Sequence, residues 1–281
     1  MHVKGVRSFK SIVKISISNI IWPKGEENLP DFLTSLPEIG FKGVELALNC
    51  FWDEPTTVSK VKLNWLRELL KENNLQVSAL HSLTYTREDL ELFGSEQKRK
   101  ELLEYIKRYL DLAAYFECKN IVFGSPKARR KNGKKIEECN HIFLDFLSLL
   151  DSFSQGIGIN IEPLHVSSCE YLNYFTDVVA LLTKSNFKNI KIQLDVRSFI
   201  ENEEPLELIN QYFSDISHCQ VSDPGLSIPG TQYQEIHKKV SEYLIRNEYS
   251  GFIAGEIINT KNLEKKEYLA AAYTSLSGYY G

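Results

Sequence analysis

IGINIEP (157–163), IKIQLDV (190–196), SHCQVSD (217–223) and FIAGEII (252–258) follow one another in the second half of the chain, and each ends an apolar run on a residue that can bind metal: Glu162, Asp195, Gln220 and Glu256. In the first stretch Ile157, Ile159 and Ile161 alternate with Gly158, Asn160 and Glu162, a period of two that puts the isoleucines on one face of a strand and the polar residues on the other. The same alternation joins Gln193 to Asp195, His218 to Gln220 and Ala254 to Glu256. Strands buried between helices should read almost wholly apolar, and isolated buried charge is expensive unless it is paired or bound to a cation. A divalent ion shared by the four strand ends is the simplest account of the pattern.

Outward from these stretches, strands are predicted near 12–22, 43–48, 76–83, 120–126, 157–163, 189–198, 216–223 and 251–258. Between them run amphipathic segments at 58–74, 96–118, 134–153, 171–186 and 233–248, with apolar residues three and four apart. Eight strands alternating with eight helices over residues 1–281 is the arithmetic of a single α/β domain, the (β/α)8 TIM barrel. An open doubly wound sheet is the alternative, but no GxGxxG follows the first strand. In a barrel the carboxyl ends of all strands open on one rim, so strands five to eight would bring the four polar residues together.

At 281 residues, 43% hydrophobic, the chain is long enough for one large core. A formal net charge of −4 argues against binding nucleic acid through a general basic surface. Five widely spaced cysteines without a CxxC pair read as free thiols in a reducing cytoplasm. No apolar run suits a membrane span or signal peptide, so a cytoplasmic protein is expected, and assembly as a homodimer or homotetramer is left open.

Three carboxylates and an amide oxygen make a hard, oxygen-rich donor set that suits Mn²⁺, Mg²⁺ or Co²⁺ better than Zn²⁺. INIEP, QLDVRS, HCQVSD followed by SIPG, and AGEI together resemble the fifth to eighth strand motifs of the xylose-isomerase-like TIM barrels, the sugar isomerase and epimerase superfamily. The resemblance implies that Glu162 is a ligand and one acid/base, Asp195 a ligand, and Glu256 a ligand and the second acid/base. Gln220 stands where ketose 3-epimerases have the second His of an HxH and hydroxypyruvate isomerases the Gln of an HxQ. Ser198 replaces a His usual three residues after the sixth-strand Asp, and Leu226 falls where ketose 3-epimerases place an Arg. The implied reaction moves a proton next to a carbonyl through an enediolate, on a small sugar or sugar phosphate, with one divalent ion.

Further candidates for touching substrate are His81 in SALHSL, Arg197 beside Ser198, and Glu45 in GVELAL. His218 shares the inward face with Gln220 one layer deeper, where orienting a ligand is the expected role. FGSPKARRKNGKK (123–135) puts Lys127 and Arg129 in the loop after the fourth strand, where they would meet an anionic group. Competing readings are an inosose-dehydratase-like hydro-lyase, an endonuclease IV-like phosphodiesterase, against which the six His argue, and a non-catalytic sugar-binding barrel.

Overall fold

The computed structural model describes residues 13–260 and 263–281; residue 12, where the first strand was expected to begin, lies outside them. Eight parallel strands close a barrel in sequence order: β1 (Lys14–Ser18), β2 (Gly43–Leu46), β3 (Gln76–Leu80), β4 (Asn120–Phe123), β5 (Gly158–Ile161), β6 (Ile190–Asp195), β7 (Ile216–Val221) and β8 (Phe252–Gly255). The closing pair, β1 with β8, runs in register from Lys14 opposite Phe252 to Ile17 opposite Gly255.

The crossovers are α1 (Leu29–Ile39), α2 (Lys60–Glu72), α3 (Glu96–Tyr115), α4 (Ile136–Phe153), α5 (Phe175–Leu182), the short pair α6 (Val196–Glu201) and α7 (Glu207–Gln211), α8 (Gln234–Arg246), and α9 (Lys265–Tyr280). The described residues thus hold nine α-helices rather than eight, because the β6 to β7 crossover is split. Helix ends follow local chemistry. Ser59 and Ser95 accept backbone N–H bonds at the starts of α2 and α3, and α1 stops at Gly40, whose φ of 127° is open to glycine and strained for other residues.

Apolar side chains cover the outside of the barrel. Ile159, Ile161, Ile192 and Ile253 are at most 1% exposed under the helices, and each such burial contributes roughly 1.5 to 3 kcal/mol. The inside is polar. Asn160 Nδ2 donates to Asn120 Oδ1 and to the Ile121 carbonyl, each at 3.2 Å, and Ser217 donates to Asn160 Oδ1. This lumen accounts for some of the polar members of the alternating strands, which pair with one another across the barrel, while Gln193 has neither amide atom hydrogen-bonded. All five cysteines are free. No helix among the described residues is long and apolar enough to cross a membrane.

Candidate active site

The strands end sooner than the sequence periodicity indicated, so several site residues stand on the first residues beyond them. Glu162 follows β5, with its backbone N–H bonded to the Phe123 carbonyl at 3.4 Å. Its carboxylate lies over Gly124, where any Cβ would overlap Oε2. Glycine is the residue that lets β4 and this carboxylate approach so closely. Arg129, wholly buried, donates from Nη1 to the Glu162 carbonyl at 3.0 Å, while its Nε and Nη2 have no hydrogen-bond partner.

Asp195 ends β6 and caps α6, accepting from the Arg197 N–H at 3.0 Å and the Ser198 hydroxyl at 2.9 Å. That capping explains why the predicted strand 189–198 stops at Asp195: Arg197 and Ser198 belong to the first turn of a helix. The cap also directs the Arg197 guanidinium back over the rim. Its Nη2 is 3.5 Å from Asp195 Oδ2 and 3.9 Å from Glu256 Oε2, with the side chain one-fifth exposed.

On β7, His218 Nε2 lies 2.7 Å from Glu45 Oε1 and Gln220 Nε2 donates to Glu45 Oε2 at 2.9 Å, so the carboxylate of β2 ties two inward groups from across the barrel. Both Glu45 and His218 are at most 1% exposed. With its amide nitrogen engaged, Gln220 leaves Oε1 without a partner. Glu256 follows β8; its Oε1 is 3.6 Å from His81 Nδ1 and its Oε2 has no hydrogen bond. His81 is fixed from its other nitrogen by the Ser18 hydroxyl at 2.7 Å.

Charge accumulates on this rim. Burial, with the Asp195 charge adding to it, raises Glu162 to about 7, while Arg197 and Arg129 pull it back. Glu256 is raised well above the usual carboxylate range by burial, opposed by Arg197 and reinforced by Glu162 and Asp195. Glu45 behaves in the opposite sense. Burial raises it, but the fields of His81 and His218 and the bonds from His218 and Gln220 outweigh that and leave it lowered. Burial in turn holds His81 below the ordinary imidazole value. Two carboxyls of similar burial and high proton affinity thus face the rim, and a third carboxylate behind them stays ionised.

A cavity of about 290 Å³ opens beside Glu256, lined by Lys24, Asn49, Ser82, Tyr85, Leu226 and Ile258 among others. Lys24 Nζ lies 4.7 Å from the Tyr85 ring at its mouth. A larger opening of about 800 Å³ lies at the amino-terminal end of the strands, among Lys14, Lys119 and Phe252, away from these carboxyls.

Gln220 Oε1 and Glu256 Oε2 are buried acceptors without donors, and the neighbouring carboxylates repel one another, which is the chemistry a hard divalent ion satisfies. Yet no group of three or more His, Cys, Asp or Glu among the described residues is drawn together closely enough to hold an ion. The Arg197 guanidinium lies within 4 Å of Asp195 and Glu256 instead. The donors suit an ion in kind, with Arg197 as the cation that stands among them.

The two basic residues read from the loop after β4 part company. Lys127 is partly exposed and pairs with Glu88 on the surface, whereas Arg129 is interior. Ser18 and Gly124, which position His81 and Glu162, were not singled out from the sequence. Ser16 and Ser18 do carry the period-two signal on β1; Gly124 carries none, since its role is a contact with another strand.

A family model described as xylose isomerase-like TIM barrel matches residues 33–266. Among solved structures, 3-keto-D-glucoside 4-epimerase from E. coli is similar at a TM-score of 0.74 and 18% identity over 93% of this chain and 99% of that one. D-psicose 3-epimerase in the presence of D-fructose superposes at 0.79 with 14% identity over 96% and 100%. An AP endonuclease, family 2, from Brucella melitensis gives 0.69 with 17% identity over 95% and 99%. None of the curated proteins compared matches the chain.

Proposed function

We propose that this chain, which belongs to the xylose isomerase-like TIM-barrel family, is a divalent-metal-dependent isomerase or epimerase of a small sugar or sugar phosphate. The observation that carries the proposal is the meeting of Glu162 and Glu256, from the ends of β5 and β8, with Asp195 on one rim, where Gln220 Oε1 and Glu256 Oε2 are buried acceptors without donors. Two carboxylates on either side of a substrate carbon can relay its proton.

In this reading Glu162 removes a proton from the carbon next to the substrate carbonyl, and Glu256 returns one from the other side. Bound by Glu162, Asp195, Gln220 and Glu256, the ion would supply positive charge to the carbonyl and hydroxyl oxygens where negative charge develops. Glu45 holds Gln220 in the rotamer that aims Oε1 inward, and His218 buttresses that carboxylate. His81, steadied by Ser18, lies near enough to Glu256 to orient it or to meet a substrate hydroxyl. Arg129 holds the backbone beneath Glu162. Lys127, at the surface, is the basic residue of the loop after β4 that we carry forward as a contact for an anionic substituent. The substrate is taken to enter by the cavity beside Glu256, whose largely apolar lining with Tyr85 and a few polar groups, Lys24, Asn49 and Ser82, suits a sugar face.

The test is a panel of ketoses, their phosphates and inososes incubated with the protein and Mn²⁺, Mg²⁺ or Co²⁺, read by NMR. Isomer or epimer formation supports the reading; loss of water from an inosose as the only reaction replaces it with the hydro-lyase.

A further inference from the structure

Arg197 stands in an unusual position for a guanidinium. Charge-assisted Arg–carboxylate pairs close to about 2.7 to 2.9 Å and engage both edges of the fork. Here one nitrogen, Nη2, reaches toward two carboxylates on different strands, 3.5 Å from Asp195 and 3.9 Å from Glu256, while Nε is buried with no partner. Glu256 Oε2 likewise accepts no hydrogen bond. The guanidinium is therefore placed between the carboxylates by charge and by its anchor on the capped first turn of α6, and not locked to either of them.

We infer that Arg197 is a built-in counter-ion that competes with a divalent cation for Asp195 and Glu256. Without the ion it compensates the acidic rim, which would otherwise hold three carboxylates in mutual repulsion. A divalent ion bound to the same oxygens would stand within about 4 Å of the guanidinium, where like charges repel strongly at a partly buried site. Ion binding therefore displaces Arg197, and its one-fifth exposure gives the side chain a way out. Ion affinity is correspondingly lower than the donor set alone would give. The inference rests on the proposed ligation by these residues.

The experiment is titration calorimetry of the chelator-treated full chain with Mn²⁺, on the wild type, R197M and R197K, alongside thermal unfolding with and without the ion. R197M, which keeps the length and loses the charge, should bind Mn²⁺ about tenfold or more tighter than wild type. R197K, still charged, should stay closer to wild type. Metal-free R197M should unfold at lower temperature than metal-free wild type, and Mn²⁺ should raise it further than it raises wild type. A merely structural arginine would not increase ion affinity when removed. If R197M does not fold without the ion, R197Q, which is also uncharged but keeps polar groups, carries the comparison, and affinity equal to or below wild type in that variant overturns the inference. Wild type that binds Mn²⁺ with R197M no tighter overturns the inference alone; no binding by any of the three overturns the metal ligation along with it.

Discussion

Replacing Glu45 with glutamine measures how far the inner carboxylate organises the rim. Glu45 is fully buried and both oxygens are engaged, one by His218 Nε2 at 2.7 Å and the other by Gln220 Nε2 at 2.9 Å. Glutamine keeps one acceptor and turns an N–H₂ toward the other donor. The change removes one charge-assisted bond, worth roughly 1.5 to 3 kcal/mol, and leaves a buried donor unpaired at roughly 1 to 3 kcal/mol. With partial relaxation, a loss of about 2 to 4 kcal/mol at pH 7 is expected from urea unfolding at 25 °C. The sign of the pH dependence also follows. Glu45 is lowered from its ordinary 4.5 in the folded chain, so its contribution is complete above that value and is lost as pH falls below it through the folded value. The gap between Glu45→Gln and wild type should therefore narrow only below about 4.5. A difference under about 1 kcal/mol at pH 7, or a gap that widens with acid, would refute the reasoning.

Gly124→Ala should leave the chain folded but lower kcat on the order of 10²-fold, because the new Cβ displaces the Glu162 carboxylate; circular dichroism and turnover check it. Glu204, buried at the amino-terminal end of α5 and raised by burial to about 7, penalises folding as pH rises from 4.5 through that value. Glu204→Gln, which keeps the bond from the Phe175 N–H, should stabilise the chain by about 2 kcal/mol at pH 8 and by almost nothing at pH 4, as read by unfolding at the two values. Lys127→Ala should raise KM for a phosphorylated or carboxylated substrate more than it lowers kcat, and the effect should shrink as salt screens over about 10 Å at 0.1 M. A neutral sugar handled equally well by both proteins would return Lys127 to the solvated surface.

The barrel was legible because its signal is local: each strand carries its own period of two and each crossover its own apolar stripe. Glu162, Asp195, Gln220 and Glu256 fall at the carboxyl ends of four successive strands for the same reason, since eight alternating units leave few topologies. What escaped depends on contacts between distant segments. Glu45 bonds to residues 173 and 175 positions away, so nothing near GVELAL distinguishes a substrate contact from a brace for Gln220. Arg129 lies in a basic run that reads as meeting an anion on the rim, yet the loop folds inward, buries it and turns it onto the Glu162 carbonyl. Asp195 doubles as a helix cap, a use of aspartate invisible to strand periodicity, and that cap is what turns Arg197 onto the rim.

The central claim is that Glu162 and Glu256 pass a proton to and from the carbon next to a carbonyl. Its most direct measurement is incorporation of deuterium from D₂O into recovered substrate and product, by NMR, for wild type, Glu162→Gln and Glu256→Gln. The account predicts deuterium at the reacting carbon with wild type, and losses of turnover on the order of 10² to 10⁴-fold in each variant with the fold retained. Turnover and deuterium uptake in either variant equal to wild type would contradict it.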